Sequence, residues 1–415
     1  MLVLFAAVLP IIILFCGLTL DVGMLELKKL QMQTAADAAA LGAEMEAERG
    51  SNSAQVKAIG IADAGINGFT NGSNNVTVTL PQFPDYPTYP TSGAYAGRWD
   101  AFEATVTQSV STIFLGALNG GSVTLSAQAS ALLTPCVYLT GTGTLQQYTL
   151  DVATGSLNGD SCPVYVNTSL RVQAAGKMAV EAIGVAGAAA DSVLSGSVVY
   201  PPPNFNIPTT ADPLAYVAQP PYTGCVHNSG YTVSNNPSAT LSPTSYCNGL
   251  TISNSTVTLS PGTYFITGVV SWTNSNVTGI GVTLFFTHDA GNVYRGITIS
   301  NSTVNLSAPT DVSNPYQGIV VYADRAWVPH ATQDFQIYHS DVTTDGIWYL
   351  TGAGLEVTSC LPATAASNNC TMTGNNYFGV IADNMLLTGT IFNPRNDYSN
   401  LATGNPLRTL GALVQ

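Results

Sequence analysis

The chain is 415 residues long and carries 11 Lys and Arg against 24 Asp and Glu, a net charge of −13. That balance excludes a nucleic-acid binder, because phosphate contacts need clustered cations. Only 8% of the residues are charged, and Gly, Ser, Thr and Asn are frequent, as in long exported β-rich proteins of two or three domains.

The first element is the run MLVLFAAVLPIIILFCGLTL, Met1 to Leu20, which has no charged side chain. About 20 helical residues span roughly 30 Å, the thickness of a bilayer core, so the run reads as a transmembrane helix. Asp21-Val22-Gly23 follows without ending the helical pattern, and residues 24–43 contain strong helix formers and no proline. Met24, Leu27, Leu30, Thr34, Ala38, Leu41 and Met45 recur at steps of three and four and form one stripe. The expectation is a single transmembrane and assembly helix over residues 1–49 that leaves the membrane and continues in water. Its alanine-rich end is suited to close packing.

Leu9-Pro10, Gly17, Asp21-Val22-Gly23, Leu30-Gln31 and Ala35-Ala36-Asp37-Ala38-Ala39-Ala40-Leu41, in that order and spacing, carry a resemblance. They resemble the N-terminal segment of the TadG-like proteins of the Flp (Tad) pilus-assembly group, over about the first 45 residues. The resemblance implies a bacterial cell-envelope protein with a single membrane pass and a periplasmic or extracellular C-terminal part. It implies the inner membrane and other Tad pilus components as partners. The positions that carry it are the candidate assembly residues: Pro10, Gly17, Asp21, Gly23, Leu30, Gln31, Ala36, Asp37 and Leu41. Position 5 departs from it, being Phe5 where many pilin-like proteins have a glutamate.

Residues 50–134 read as a small α+β, pilin-like unit. A helix is predicted over residues 54–69, strands over 75–80, 101–107 and 123–133, and a short helix over 112–118. The proline- and tyrosine-rich stretch 81–95 is a loop.

Residues 135–415 hold a repeat. Leu250-Thr-Ile-Ser-Asn-Ser-Thr-Val-Thr-Leu-Ser260 recurs 47 residues on as Ile297-Thr-Ile-Ser-Asn-Ser-Thr-Val-Asn-Leu-Ser307, with a weaker copy at residues 273–277 between them. Further weak copies lie at His339-Ser340-Asp341-Val342 and Asp383-Asn384-Met385-Leu386, and residues 318–324 resemble residues 379–383. Turns of 20 to 27 residues with Asn at the corners fit a parallel, right-handed β-helix, in which stacked coils bury one apolar column. Ile252, Val257 and Val304 should point inward and Thr256 and Thr303 outward. Residues 162–187 read as earlier coils, and residues 200–224, with two proline clusters, as an excursion.

Cys16 lies in the apolar helix, and six cysteines lie beyond it: Cys136, Cys162, Cys225, Cys247, Cys360 and Cys370. An even number outside the bilayer suggests disulfides in an oxidising compartment. Pairing local in sequence would join Cys136–Cys162, Cys225–Cys247 and Cys360–Cys370, one of many possible connectivities. No CxxC or CxxH spacing suggests zinc.

No P-loop, GxGxxG, GxSxG or HExxH is present. Asp334, His339, Asp341 and Asp345, near Arg325, Trp327 and His330, are the one suggestive cluster, and they read as a solvated lateral loop. No catalytic, cofactor or metal site is expected. The combined expectation is a mixed, mainly β fold: transmembrane helix, small α+β unit, C-terminal β-helix. It belongs to a membrane-anchored structural or adhesion protein of a Tad-type pilus system that could contact surface glycans. The alternatives are a membrane-tethered β-helix enzyme acting on polysaccharide and a surface stalk protein unrelated to pili.

Overall fold

The described residues of the computed structural model are 2–48, 53–80, 101–115, 121–132, 135–141, 148–159, 162–188, 193–207, 209, 212–222, 224–289, 291, 293–327, 334–358, 370–401 and 405–407. Side chains are described for these except at 2–8, 10, 11, 13, 14, 47, 48, 53, 101 and 132. The chain divides into two compact units, the first over residues 1–133 and the second over residues 134–409.

In the first unit, helix α1 (Leu2–Glu48) runs without a break through Asp21-Val22-Gly23, followed by α2 (Ser53–Ile66). Strands β1 (Val76–Thr79), β2 (Ala101–Ser111) and β3 (Ser122–Leu132) form an antiparallel sheet in chain order, pairing Val78 with Val106 and Val106 with Ala127. The buried face of α1 is Met32, Ala35, Ala36, Ala39, Ala40 and Ala43, at helical steps of three and four. It packs with Val56, Phe69, Val78, Phe102 and Val106. Gly60 of α2 lies where a Cβ would stand 2.8 Å from the Ala39 carbonyl oxygen, so small residues on both helices permit the approach. Most of the stripe read from the sequence faces the other way: Met24, Leu27, Leu30 and Met45 are 41%, 59%, 67% and 52% exposed, while Leu41 packs half-buried against the core. The reason is size, since alanines let a helix and sheet close to contact where long side chains would hold them apart. Among the described residues no helix is long and apolar enough to cross a membrane. Much of the span expected over Met1–Leu20 lies outside the described side chains.

The second unit is a stack of parallel strands consistent with a β-helix. One coil comprises Leu250–Ser253, Thr256–Leu259 and Gly262–Ile266; the next comprises Val270–Thr273, Asn276–Ile280 and Val282–Phe286. Each strand pairs in parallel with its counterpart one coil on, so Ile252 aligns with Trp272, Ile299 and Ile337. Val257 aligns with Val277, Val304 and Val342. These side chains are buried in one column, while Thr256 and Thr303 are exposed.

The corner between the first two strands explains the repeat. Asn254, Asn274 and Asn301 have φ of 46°, 50° and 49°, the left-handed conformation Asn tolerates, and His339 holds the same corner at 47°. The following serine is buried. The Ser255 amide donates to Ser275 Oγ (3.2 Å), the Ser275 amide to Ser302 Oγ (3.1 Å) and the Ser302 amide to Ser340 Oγ (3.0 Å). A serine ladder thus satisfies amides that the turn takes out of the sheet. The resemblance of Asp383-Asn384-Met385-Leu386 to this corner is not structural: Met385 aligns with Leu355, and Ile391 aligns with Thr371, so the corner falls at Gly389-Thr390. Asp324 and Asp383 instead follow equivalent strands at a different corner.

The coils do not stack in chain order. Strand Tyr377–Thr388 pairs in parallel with Val137–Leu139 and Leu150–Val152, and Ile391–Asn393 pairs with Ser156–Gly159. The coil of residues 137–159 in turn pairs with Val164–Val166, Leu170–Val172 and Lys177–Val180. The residues read as earlier coils therefore continue the column beyond its C-terminal coil instead of preceding coil 231–246. The excursion makes this possible. Ile207 packs at Gly184, Asp212 and Leu214 reach Tyr349 and Arg325, Tyr222 meets Phe265, and His227 stacks on Tyr246 at 5.0 Å. In about 20 residues it carries the chain from one end of the stack to the other along its outer side.

Candidate functional surfaces

On α1, Gly17 and Asp21 lie one turn apart and receive a segment from between β2 and β3. The carboxylate of Asp21 accepts the backbone N–H of Ile113 (3.1 Å), Phe114 (2.7 Å) and Leu115 (2.7 Å). Those bonds hold its pKa below the ordinary carboxylate value, the one from Leu115 most strongly, against partial burial. Gly17 supplies the space for the Phe114 ring, which a Cβ there would strike. Ala36 lies in the core, Leu41 packs half-buried against it, and Asp37 Oδ1 accepts from Gln33 Nε2 at 2.8 Å. Leu30, Gln31 and Gly23 face outward, Gly23 with nothing within 4 Å of a Cβ position. The Pro10 side chain lies outside the described residues. Toward the N-terminus the exposed apolar surface continues through Leu20 (69%), Phe15 (63%), Ile12 and Leu9.

The β stack offers a hydroxyl-lined face. Thr240, Thr258, Thr278, Asn305 and Thr343 align coil by coil. Thr256, Asn276, Thr303 and Asp341 form a second column two residues away. Both columns point outward, since their neighbours Val257, Val277, Val304 and Val342 are buried. The adjacent face also carries hydroxyls, but these bond to one another: Ser253 Oγ to Ser234 Oγ at 3.0 Å, and Ser300 Oγ to Thr273 Oγ1 at 3.3 Å.

The cluster singled out around Asp341 does not converge. Asp341 Oδ1 accepts the Thr371 amide at 3.1 Å, Asp345 Oδ1 accepts the amides of Asn375 and Asn376, and Asp334 Oδ2 accepts Trp327 Nε1 at 3.0 Å. His339 serves the corner, and His330 lies outside the described residues. Arg325 lies near this cluster in the sequence. It is part of a network no local pattern indicates: its Nε donates to Tyr349 Oη (2.7 Å), its second terminal nitrogen to the Leu214 carbonyl (2.7 Å), and Tyr349 Oη donates to Asp212 Oδ2 (2.5 Å). Burial pushes the Tyr322 hydroxyl beside it up to about 12, with Arg325 opposing. This network clamps the excursion.

Cys136–Cys162 and Cys225–Cys247 are disulfides with Cα separations of 5.2 and 5.7 Å, and Cys370 is also disulfide-bonded. Cys360 lies outside the described residues. Among the described residues no group of three or more His, Cys, Asp or Glu could hold a metal ion.

No curated protein and no solved structure matches the chain. The segment that carries Gly17, Asp21 and the buried alanines is the part with a known counterpart: residues 1–55 match the Tad family model, described as Putative Flp pilus-assembly TadE/G-like.

Proposed function

We propose that this Tad/Flp pilus-related envelope protein is a membrane-anchored, exported structural and adhesion component of the pilus system. Residues 1–20 anchor it in the inner membrane, the exposed stripe of α1 packs against other pilus components, and the C-terminal column is exported. The observation that carries the reading is the division of α1 into a buried alanine face and an opposite face of exposed Leu20, Met24, Leu27 and Leu30. Exposed apolar surface of that length is stable only against lipid or another apolar helix. Crossovers between parallel strands are right-handed in nearly all proteins, which supports a right-handed coil for the β-helix. The proposed role is non-enzymatic, a reading supported by the engagement of Asp341 and Asp345 in tying down the next coil.

Fractionation of cells producing the full chain tests the reading. The protein should stay with membranes through carbonate extraction, and a variant lacking residues 2–20 should be released. Full-length protein recovered wholly in the soluble fraction would overturn it.

A further inference from the structure

The hydroxyl-lined face has the properties of a binding surface for an extended, repeating ligand. Its rungs are spaced by the distance between strands, about 4.8 Å, and its two columns by two residues along a strand, roughly 6.6 Å. Thr and Asn can each donate and accept, so the face offers both halves of every hydrogen bond a polyhydroxyl ligand presents. Among the described residues the one side-chain contact within the columns is Thr258 Oγ1 to Thr278 Oγ1 at 3.5 Å, the limit of a hydrogen bond. Threonine is stiff at χ1, and the strands are held on both sides, so little conformational freedom is lost on binding.

Charge and shape narrow the ligand. No outward position of this face between Thr240 and Ser307 is charged, while the whole chain carries −13. An acidic polymer would be repelled, and a cationic one would find no partner between Thr240 and Ser307, while Asp341 at the edge of the face is engaged by the Thr371 amide. Ile280 stands beside the columns, 78% exposed, as an apolar surface of the kind the C–H face of a sugar ring covers. Asn replaces Thr in one column at 276 and in the other at 305, which breaks the strict repeat that a crystalline surface such as ice requires. A flexible chain tolerates that break.

We propose that this face binds an extended, uncharged polysaccharide laid along the axis of the column. The inference rests on the adhesion reading above and specifies its ligand class. The test uses full-length protein in nanodiscs, with cellulose powder and soluble hydroxyethyl cellulose as probes, alginate as the acidic comparison and ice-affinity partitioning as a further arm. The triple variant T258V, T278V and T303V keeps shape and β propensity while removing three hydroxyls. Retention on the neutral glucan should fall tenfold or more in the triple variant and stay unchanged in T251V, whose position lies on the adjacent face outside both columns. Equal retention on alginate, full retention by the triple variant, no glucan binding by the parent protein, or partitioning into ice without glucan binding would each overturn the proposal. Membrane association of the same preparations is scored separately. Its loss would sink the anchoring reading, whereas loss of glucan binding with anchoring intact would sink this inference alone.

Discussion

At the scale of single residues, position within a strand decides the consequence of a change. Val304 is buried in the column, so Val304→Asp places an unpaired charge among apolar side chains, one of the most damaging core changes. Thr303→Asp, one residue away and exposed, should leave the melting temperature within a few degrees of the parent, because successive strand side chains point to opposite faces. Thermal denaturation followed by circular dichroism distinguishes them, and equal losses would contradict the alternation. Asp21 acts differently. Its folded pKa is depressed, so the stability it contributes is present above the ordinary carboxylate pKa and lost as pH falls through the depressed value. Hydrogen-exchange protection at Ile113, Phe114 and Leu115, relative to the intrinsic rate at each pH, should fall on acidification across that window. Asp21→Leu should show the same loss at neutral pH, with the protection of β2 retained.

At the scale of elements, the packing of α1 depends on what its side chains lack. Gly60 faces the Ala39 carbonyl at a distance that admits no Cβ without movement. Gly60→Leu should therefore push α2 from α1 and cost about 1–3 kcal/mol, the usual penalty for overpacking. The check is a denaturant titration of the first unit, read by protease resistance at residues 53–66. Leu27→Gln, on the exposed stripe, should leave that titration unchanged. The stripe itself was legible as a periodicity, but its direction was not: both faces of α1 repeat at helical spacing, and the apolar sums favour the larger residues. Which face turns inward depends on the approach distance to α2 and the sheet.

At the scale of the whole molecule, the column closes through its C-terminal coil. Phe392 is fully buried, and its strand lies between Thr371–Thr373 and Ser156–Gly159. Phe392→Ala should cost about 3–5 kcal/mol. Its wider signature should be faster hydrogen exchange at residues 156–180, more than 200 positions earlier in the chain. A stack in chain order would confine the effect to neighbouring C-terminal coils. The excursion is fixed at one end by Cys225–Cys247 and in the middle by Arg325, Tyr349 and Asp212. Reduction of the disulfides should lower the unfolding temperature, each closure contributing about 2–4 kcal/mol, and should expose residues 224–230 to protease first.

Much of this protein follows from local sequence chemistry. The continuous helix through Asp21, the inward Val257 and Val304, the left-handed corners at Asn254 and Asn301, and the disulfides Cys136–Cys162 and Cys225–Cys247 all rest on short-range pattern. Steric preference, strand alternation and spacing express such features directly in neighbouring residues. The Asp21 contact with a segment about 90 residues away, the Arg325 network and the return of the last coil onto residues 137–159 do not appear in any local pattern. Coils of one cross-section can stack on either neighbour, and an Asp or Arg gains its partner only when distant segments meet. Those choices are settled by the free energy of the assembled structure, and so belong to tertiary packing alone.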